Sequence, residues 1–400
     1  MSEALLSSPP PAAALLNQGS AFDLLCVCGS ANPQPGRAAR IANWNFAGFD
    51  WSEFLRLAEH HGVLALAARN LLQHAANLPE EIRQSFRAAY AENLRRSLWF
   101  ASELVRILEH FAKREVRAIP YKGPALAQST YGDLGLRSFS DLDLLISAAN
   151  FAKAKAALAE IGYQPSQELS GPVERLFLRV GYERTFDGAA GKNVLELQWN
   201  LLPYFYAVNL RAADFQLEDL FTRAAGVRFG GTEIPYLSPE DSLLVLCLHA
   251  GKHLWTRLIW TCDIAESLRA QELDLTLVIA RARAMGIARI LGVSCWLAER
   301  LLGAAIPASA RDLVDHDLDV VKLGEQYAAR IAQAASYDFE SGEYFRQVFK
   351  LRERASDRWR YIWRLVCTPG PGEIAAVKLP ESLVPLYRGV RIGRLVRKVF

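Results

Sequence analysis

Strand-like segments occupy only the middle of this 400-residue chain, and helical patterns lie on both sides of them. Apolar side chains recur at helical spacing over residues 49–113, and short β-type runs alternate with short helices over about 115–236. A helical pattern returns after Ser238 and continues to about Phe349. This order predicts an α+β fold, in which a small mixed sheet with its helices is flanked by N-terminal and C-terminal helical modules.

We expect five segments along the chain. The first is rich in Ser, Pro and Ala, which is typical of a flexible leader. The segments are the leader (1–20), an N-terminal helical module (21–114), an α/β core (115–236), a C-terminal helical module (237–349) and a basic terminal segment (350–400).

The core contains several expected strands. Each is a short run of β-branched, aromatic or alternating apolar residues, bounded by turn residues. Two apolar runs separated by Gly230 and Gly231 predict a hairpin. The expected strands cover residues 116–121, 138–146, 182–186 and 193–199, and the hairpin covers 227–235.

Two carboxylates lie two residues apart in the second expected strand. Asp141 and Asp143 therefore project to one face, and neighbouring carboxylates raise each other's pKa unless a cation lies between them. Glu196 joins them if its strand lies alongside. Oxygen ligands of this kind suit Mg²⁺ or Mn²⁺. The set predicts a catalytic metal site for in-line phosphoryl or nucleotidyl displacement.

Lys122 and Gly123 lie where the first expected strand turns into a helix. A glycine lets the backbone approach a phosphate, the free N–H groups of a helix N-terminus bind anions, and Lys122 adds a positive charge. Arg137 and Ser140 come just before the aspartates and are expected to add phosphate contacts. These four residues are the candidates for nucleotide binding; the simpler interpretation is an ordinary turn beside a solvated loop edge.

A long run in the core and a second region after it resemble a known family. The matching segments are Lys122-Gly123-Pro124-Ala125-Leu126, Tyr131-Gly132-Asp133, Leu136-Arg137-Ser138, Asp141 to Leu145, His249 to His253, Trp260, Cys262-Asp263-Ile264 and the terminal Leu379-Pro380 to Arg391. With them the resemblance extends from about Phe22 to the end of the chain. Together they resemble the uncharacterised nucleotidyltransferase family of the polymerase-β-like superfamily. The resemblance implies a nucleotidyltransferase-type sheet and metal-dependent transfer of a nucleoside monophosphate from a nucleoside triphosphate (NTP).

The resemblance also implies roles for individual residues. Asp141 and Asp143 would be metal ligands and Glu196 the third carboxylate. The chain departs from the wider pattern in two places, since Lys122-Gly123 replaces a glycine-serine phosphate loop and Gln198 stands where members often carry His. The acceptor stays open between a small molecule, a sugar, a peptide, a protein and RNA.

Three polar residues after Pro239 are candidates for an acceptor cleft. In an unbroken helix, His249, His253 and Asp263 would share one face, with Gly251 as the point where the helix could break. A zinc site is an alternative, although no Glu lies between the two histidines as zinc proteases require. Another is a hydrogen-bonded network inside a packed helix.

Two rival functions also fit these patterns. One is a glycosyltransferase, which likewise uses an Asp-x-Asp pair, although here the preceding hundred residues are helical rather than nucleotide-binding α/β. The other is a non-catalytic binding or regulatory protein on the same scaffold. Nucleotide binding and label transfer distinguish these rivals from a nucleotidyltransferase.

Charge is concentrated at the end of the chain. The net charge of +3 excludes a globally basic binder, yet residues 346–400 carry 13 basic and 4 acidic residues. This segment is either a solvated helix face or a surface for an anionic partner such as nucleic acid or a membrane. Trp359 and Trp363, within it, are expected in the core or in an interface.

The sequence gives no sign of a membrane-spanning or exported chain. The first basic residue is Arg37, so the N-terminus lacks the charged region of a signal peptide. The longest apolar runs are far shorter than the ~20 residues that a bilayer requires. We therefore expect a cytoplasmic protein with reduced cysteines.

Overall fold

The computed structural model describes residues 19–169, 171–188, 193–229, 231–270, 272–339, 341–369, 373, 377, 379, 383 and 386–399. These residues form 18 α-helices, a five-stranded mixed sheet and a two-stranded sheet, which confirms the predicted α+β class. Of the expected leader, residues 1–18 lie outside the described residues.

Five helices precede the sheet. Ser20 begins the first by accepting a hydrogen bond from the Asp23 amide, and the fifth begins with Glu80 and Glu81, whose charges favour a helix N-terminus. This long fifth helix confirms the helical pattern predicted before residue 114. The helices are α1 (Ala21–Cys28), α2 (Pro35–Ala42), α3 (Trp51–His60), α4 (Leu64–His74) and α5 (Glu80–Lys113).

The main sheet has the order β1-β2-β5-β4-β3, with β2 and β5 parallel and the other pairs antiparallel. The four expected strands are confirmed, and β3 is an addition at the sheet edge. The strands are β1 (Ala118–Pro120), β2 (Asp141–Ile146), β3 (Gln164–Pro165), β4 (Glu183–Asp187) and β5 (Val194–Gln198).

Short helices connect these strands, and a hairpin follows them. The predicted hairpin is confirmed, although its turn residue Gly230 lies outside the described residues. The helices are α6 (Gly123–Leu126), α7 (Phe151–Glu160), α8 (Gly171–Val180) and α9 (Leu217–Thr222), and the hairpin strands are β6 (Ala225–Phe229) and β7 (Thr232–Tyr236).

The helix after the hairpin is central, as its apolar composition predicts. Ser238 begins it by accepting a hydrogen bond from the Asp241 amide, and nearly all of its residues are buried. It ends at Lys252. The following helices are α10 (Pro239–Lys252), α11 (Leu258–Ser267), α12 (Leu275–Met285), α13 (Ala288–Leu302), α14 (Ala308–Asp315), α15 (Leu318–Ala332), α16 (Gly342–Lys350), α17 (Ala355–Cys367) and α18 (Tyr387–Val399).

The chain from Pro239 through Asp263 does not form one unbroken helix. Gly251 lies inside α10, and the break comes just after it, where Leu254 and Trp255 adopt left-handed φ angles of 51° and 49°. Such angles are rare for residues other than glycine. They turn the chain, so that α11 runs in a new direction.

One hydrophobic cluster extends from Phe22 to Tyr361 and joins the helices to the sheet. All six cysteines are free, and five of them are buried. None of the described helices combines the length and the apolar character that a membrane span needs.

Candidate active site

Three carboxylates meet on one face of the sheet. Asp141 and Asp143 lie two residues apart on β2, and β5 pairs with β2 in the register that places Glu196 opposite Asp143. One oxygen of each side chain lies within 4.8 Å of the others. The structure thus brings together the three ligands selected from the sequence. Among the described residues, no other group of three His, Cys, Asp or Glu side chains converges in this way.

Burial and mutual repulsion act on this carboxylate cluster. Burial, then the charges of Asp143 and Glu183, raise the pKa of Glu196 to about 8. Burial and Asp143 also raise the pKa of Asp141. Carboxylates placed like this favour a cation between them. Lys122 supplies one, because its Nζ lies 2.8 Å from Asp143 Oδ1.

Lys122 and Gly123 serve the site in different ways. Burial alone would lower the pKa of Lys122, but the carboxylates, Asp143 foremost, raise it above its ordinary value. Gly123 has a φ of 59°, which favours glycine, and it turns the chain from β1 into α6. Lys122 lines the cleft described below and Gly123 does not. Of these two residues, Lys122 is therefore the one that can contact a ligand in the cleft.

Gln198 connects the cluster to a fourth carboxylate that the sequence analysis missed. Its Nε2 lies 3.2 Å from Glu196 Oε2, 3.2 Å from Glu183 Oε2 and 3.4 Å from Asp143 Oδ1. The Tyr121 hydroxyl donates to Gln198 Oε1 over 2.9 Å. Glu183 lies opposite Gln198 across the β4–β5 pair. Only this register brings Glu183 to the site.

The cluster opens into a cleft of about 420 Å³ that also carries many basic side chains. Ser140, a predicted phosphate contact, lines it together with Trp260. The sequence analysis missed three of the basic residues, because they come from α5, the end of α10 and the segment before α11. A cleft that combines acidic and basic side chains suits a polyphosphate with its metal ions. The basic residues that line it are Arg96, Lys122, Arg137, Lys252 and Arg257.

The two predicted histidines also line this cleft. The rings of His249 and His253 lie 4.7 Å apart, and Trp260 contacts both. Burial, then nearby lysines, lower the pKa of each histidine well below its usual range. No acidic or cysteine side chain completes a zinc site with them among the described residues. They are therefore neutral groups of the cleft wall.

Arg137 and Asp263 form a separate, buried ion pair. Two bonds of 2.9 Å join Arg137 Nε and Nη2 to the two Asp263 oxygens, and the Tyr131 hydroxyl donates to Asp263 Oδ1 over 2.7 Å. Asp263 is fully buried and does not line the cleft. Its predicted place in an acceptor cleft required the unbroken helix, which the turn after His253 removes.

Several arginines of the basic terminal segment have partners within the chain. Arg358 and Arg364 donate to backbone carbonyls, and Arg360 pairs with Asp357. Trp359 and Trp363 on α17 are 70% and 71% exposed, so within this chain they are not core residues, although the sequence predicts a core or interface position. Two exposed aromatic rings therefore lie on this surface beside its arginines.

The fold and the carboxylate cluster define a protein of the nucleotidyltransferase type. The sequence pattern of one protein family matches residues 47–303, which is more than half of the chain. The chain belongs to this family, the uncharacterised nucleotidyltransferases. Comparisons with curated proteins and with solved structures give no match. The family supports nucleotidyl transfer as the general activity.

Proposed function

We propose that the protein is a metal-dependent nucleotidyltransferase that moves a nucleoside monophosphate from an NTP to a hydroxyl group. The observation that carries this proposal is the convergence of Asp141, Asp143 and Glu196 in a cleft with several basic side chains. The family supports the reaction class; the metal, the nucleotide and the acceptor are part of the proposal.

The donor set fits a hard divalent cation. All three ligands are carboxylates, which Mg²⁺ and Mn²⁺ prefer, and Lys122 already brings a positive charge to within 2.8 Å of Asp143. Asp141, Asp143 and Glu196 would hold the ion. Such an ion, when bound, would orient the triphosphate and stabilise the negative charge on the oxygens of the transferred phosphoryl group.

The basic residues of the cleft would bind the phosphate chain. The cleft is lined by Lys252, Arg96 and Arg257 together with Ser140. The Ser140 hydroxyl can donate a hydrogen bond to a phosphate oxygen. The acceptor oxygen would form a bond to the α-phosphorus while the bond between that phosphorus and the β-phosphate oxygen breaks. Pyrophosphate then leaves, and the hydroxyl proton passes to a carboxylate of the cleft.

Label transfer tests the proposal. The protein is incubated with Mg²⁺ and NTPs labelled at the α-phosphate, over a panel of hydroxylated small molecules, sugars, peptides and RNA. We expect Asp141→Asn and Asp143→Asn each to reduce transfer about a thousandfold, because each removes a charge that holds the metal. Asp187→Asn is the control, since Asp187 is an exposed aspartate at the end of β4.

Calorimetry separates this proposal from its rivals. We expect Mg²⁺ to bind the native chain and NTP to bind with it. Transfer that survives the loss of both aspartates contradicts the metal-dependent reaction. Absence of NTP binding at millimolar concentration favours a non-catalytic scaffold, and transfer of a sugar from a nucleotide sugar favours a glycosyltransferase.

A further inference from the structure

A second cavity adjoins the active-site cleft. It has a volume of about 370 Å³ and lies between β4, α8 and the turn at Tyr204–Tyr206. Tyr182 and Glu183 line both this cavity and the cleft. Tyr182 and Glu183, the fourth carboxylate of the site, therefore lie between the two spaces.

The lining of this second cavity is mainly apolar. Besides Tyr182 and Glu183, the polar lining residues are Ser166, Gln167, Thr185, Thr368 and Arg184, and Arg184 is engaged by Glu174 through a bond of 2.8 Å. A volume of this size, with apolar walls and few polar groups, is typical of a small-molecule site of roughly 300–1,000 Å³. The apolar residues are Leu169, Phe177, Val180, Pro203, Phe205 and Pro369.

The boundary between the two spaces is held in place by hydrogen bonds. Gln198 Nε2 lies 3.2 Å from a carboxylate oxygen of Glu183 and 3.2 Å from one of Glu196. The Tyr182 hydroxyl donates to Glu183, and Lys252 Nζ donates to the Tyr182 hydroxyl over 3.3 Å. A hydroxyl group bound at Glu183 would thus lie beside the carboxylate cluster.

We infer that this second cavity binds the apolar part of a small-molecule acceptor and places its hydroxyl group at Glu183. The inference rests on the proposed nucleotidyl transfer and names its acceptor class, an alcohol that carries an aromatic or branched aliphatic group. A sugar would leave most of its hydroxyl groups without partners against these apolar walls, which costs binding free energy.

Binding of one probe tests the inference without NTP or metal. Phenoxypropanediol carries an aromatic ring beside its hydroxyl groups, and glycerol carries the hydroxyl groups alone. Saturation-transfer NMR measures both against the native chain. We expect phenoxypropanediol to bind at least tenfold more tightly than glycerol, because only its ring buries apolar surface.

Three variants locate the probe. Val180→Trp and Leu169→Trp each fill the second cavity from a different side, so a folding defect in one leaves the other as a test. Val173→Trp is the matched control, because Val173 lies on the same helix and does not line the cavity. We expect the first two to weaken probe binding at least tenfold and Val173→Trp to leave it unchanged.

Two results overturn the inference. One is equal binding of phenoxypropanediol and glycerol, and the other is native binding of the probe in folded Val180→Trp and Leu169→Trp. Calorimetry of the native chain with Mg²⁺ and NTP tests the proposed function separately. If the native chain binds the probe but no nucleotide, this contradicts the proposed transfer and leaves the apolar cavity as a binding site.

Discussion

Two buried ion pairs lie beside the site, one between Lys122 and Asp143 and one between Arg137 and Asp263. They differ in how completely basic and hydroxyl partners satisfy the carboxylate. Asp263 is closed off, since two guanidinium bonds and one tyrosine hydroxyl satisfy it. Asp143 lies in the cleft among further carboxylates, and Lys122 is its only basic partner at ion-pair distance among the described residues. The Arg137–Asp263 pair holds α11 against the segment before β2, and the Lys122–Asp143 pair leaves negative charge in excess. That excess is what a metal site requires.

The largest effect on stability is expected from breaking the Arg137–Asp263 pair. Asp263→Ala should lower the free energy of unfolding by about 3–5 kcal/mol, because it leaves the Arg137 guanidinium buried without a counter-charge. Asp143→Ala should change it by less than about 1 kcal/mol, because the charges of Asp141 and Glu196 still act on Lys122 and carboxylate repulsion falls. Urea unfolding followed by circular dichroism measures both. Equal losses would contradict the comparison.

A buried neutral histidine adds a pH-dependent case. Burial, then His60, lower the pKa of His61 to about 3, so the unfolded chain binds a proton there more readily than the folded one. As the pH drops below the pKa that His61 has in the unfolded chain, the free energy of unfolding should therefore decrease. The contribution of His61 to this decrease is about 2 kcal/mol between pH 7.5 and pH 5. We expect His61→Asn to flatten this fall relative to His316→Asn, which changes an exposed histidine. Parallel pH profiles would argue against it.

The variant Lys122→Met tests the role of the lysine in the Lys122–Asp143 pair. Without Lys122, its ammonium group no longer competes with a metal ion for the Asp143 carboxylate. The affinity for Mg²⁺ in the absence of nucleotide should therefore rise about tenfold. The affinity for NTP should fall about tenfold, because one charged hydrogen bond to phosphate is lost. Calorimetry measures both constants, and Lys153→Met, at an exposed pair with Glu115, is the control. Changes in the same direction would show that Lys122 only supports the fold.

The smallest effect is expected at the terminal segment. Trp359→Ala and Trp363→Ala should each change the free energy of unfolding by less than about 0.5 kcal/mol, because both rings are largely exposed. Trp255→Ala is the contrasting variant, since its ring is fully buried, and it should cost about 3–5 kcal/mol. Thermal unfolding compares the three. A large loss at Trp359 would mean that the ring packs in an interface in solution.

The sequence by itself determined most of the elements and the three candidate ligands of the cluster. Strand periodicity placed Asp141 and Asp143 on one face, and the local residues of β1, β2 and β5 specified those strands, because such signals depend on near neighbours. Glu196 was found because its strand pattern was clear, although its position beside Asp143 required the parallel register.

Only the tertiary structure decided which partner each charged side chain meets. Asp263 looked like a member of the acceptor stripe until the left-handed turn at Leu254 and Trp255 redirected α11. Glu183 and Lys252 gave no signal, because their place at the site depends on strand register and on helix packing. Contacts between residues far apart in the chain are fixed by packing, which no local pattern records.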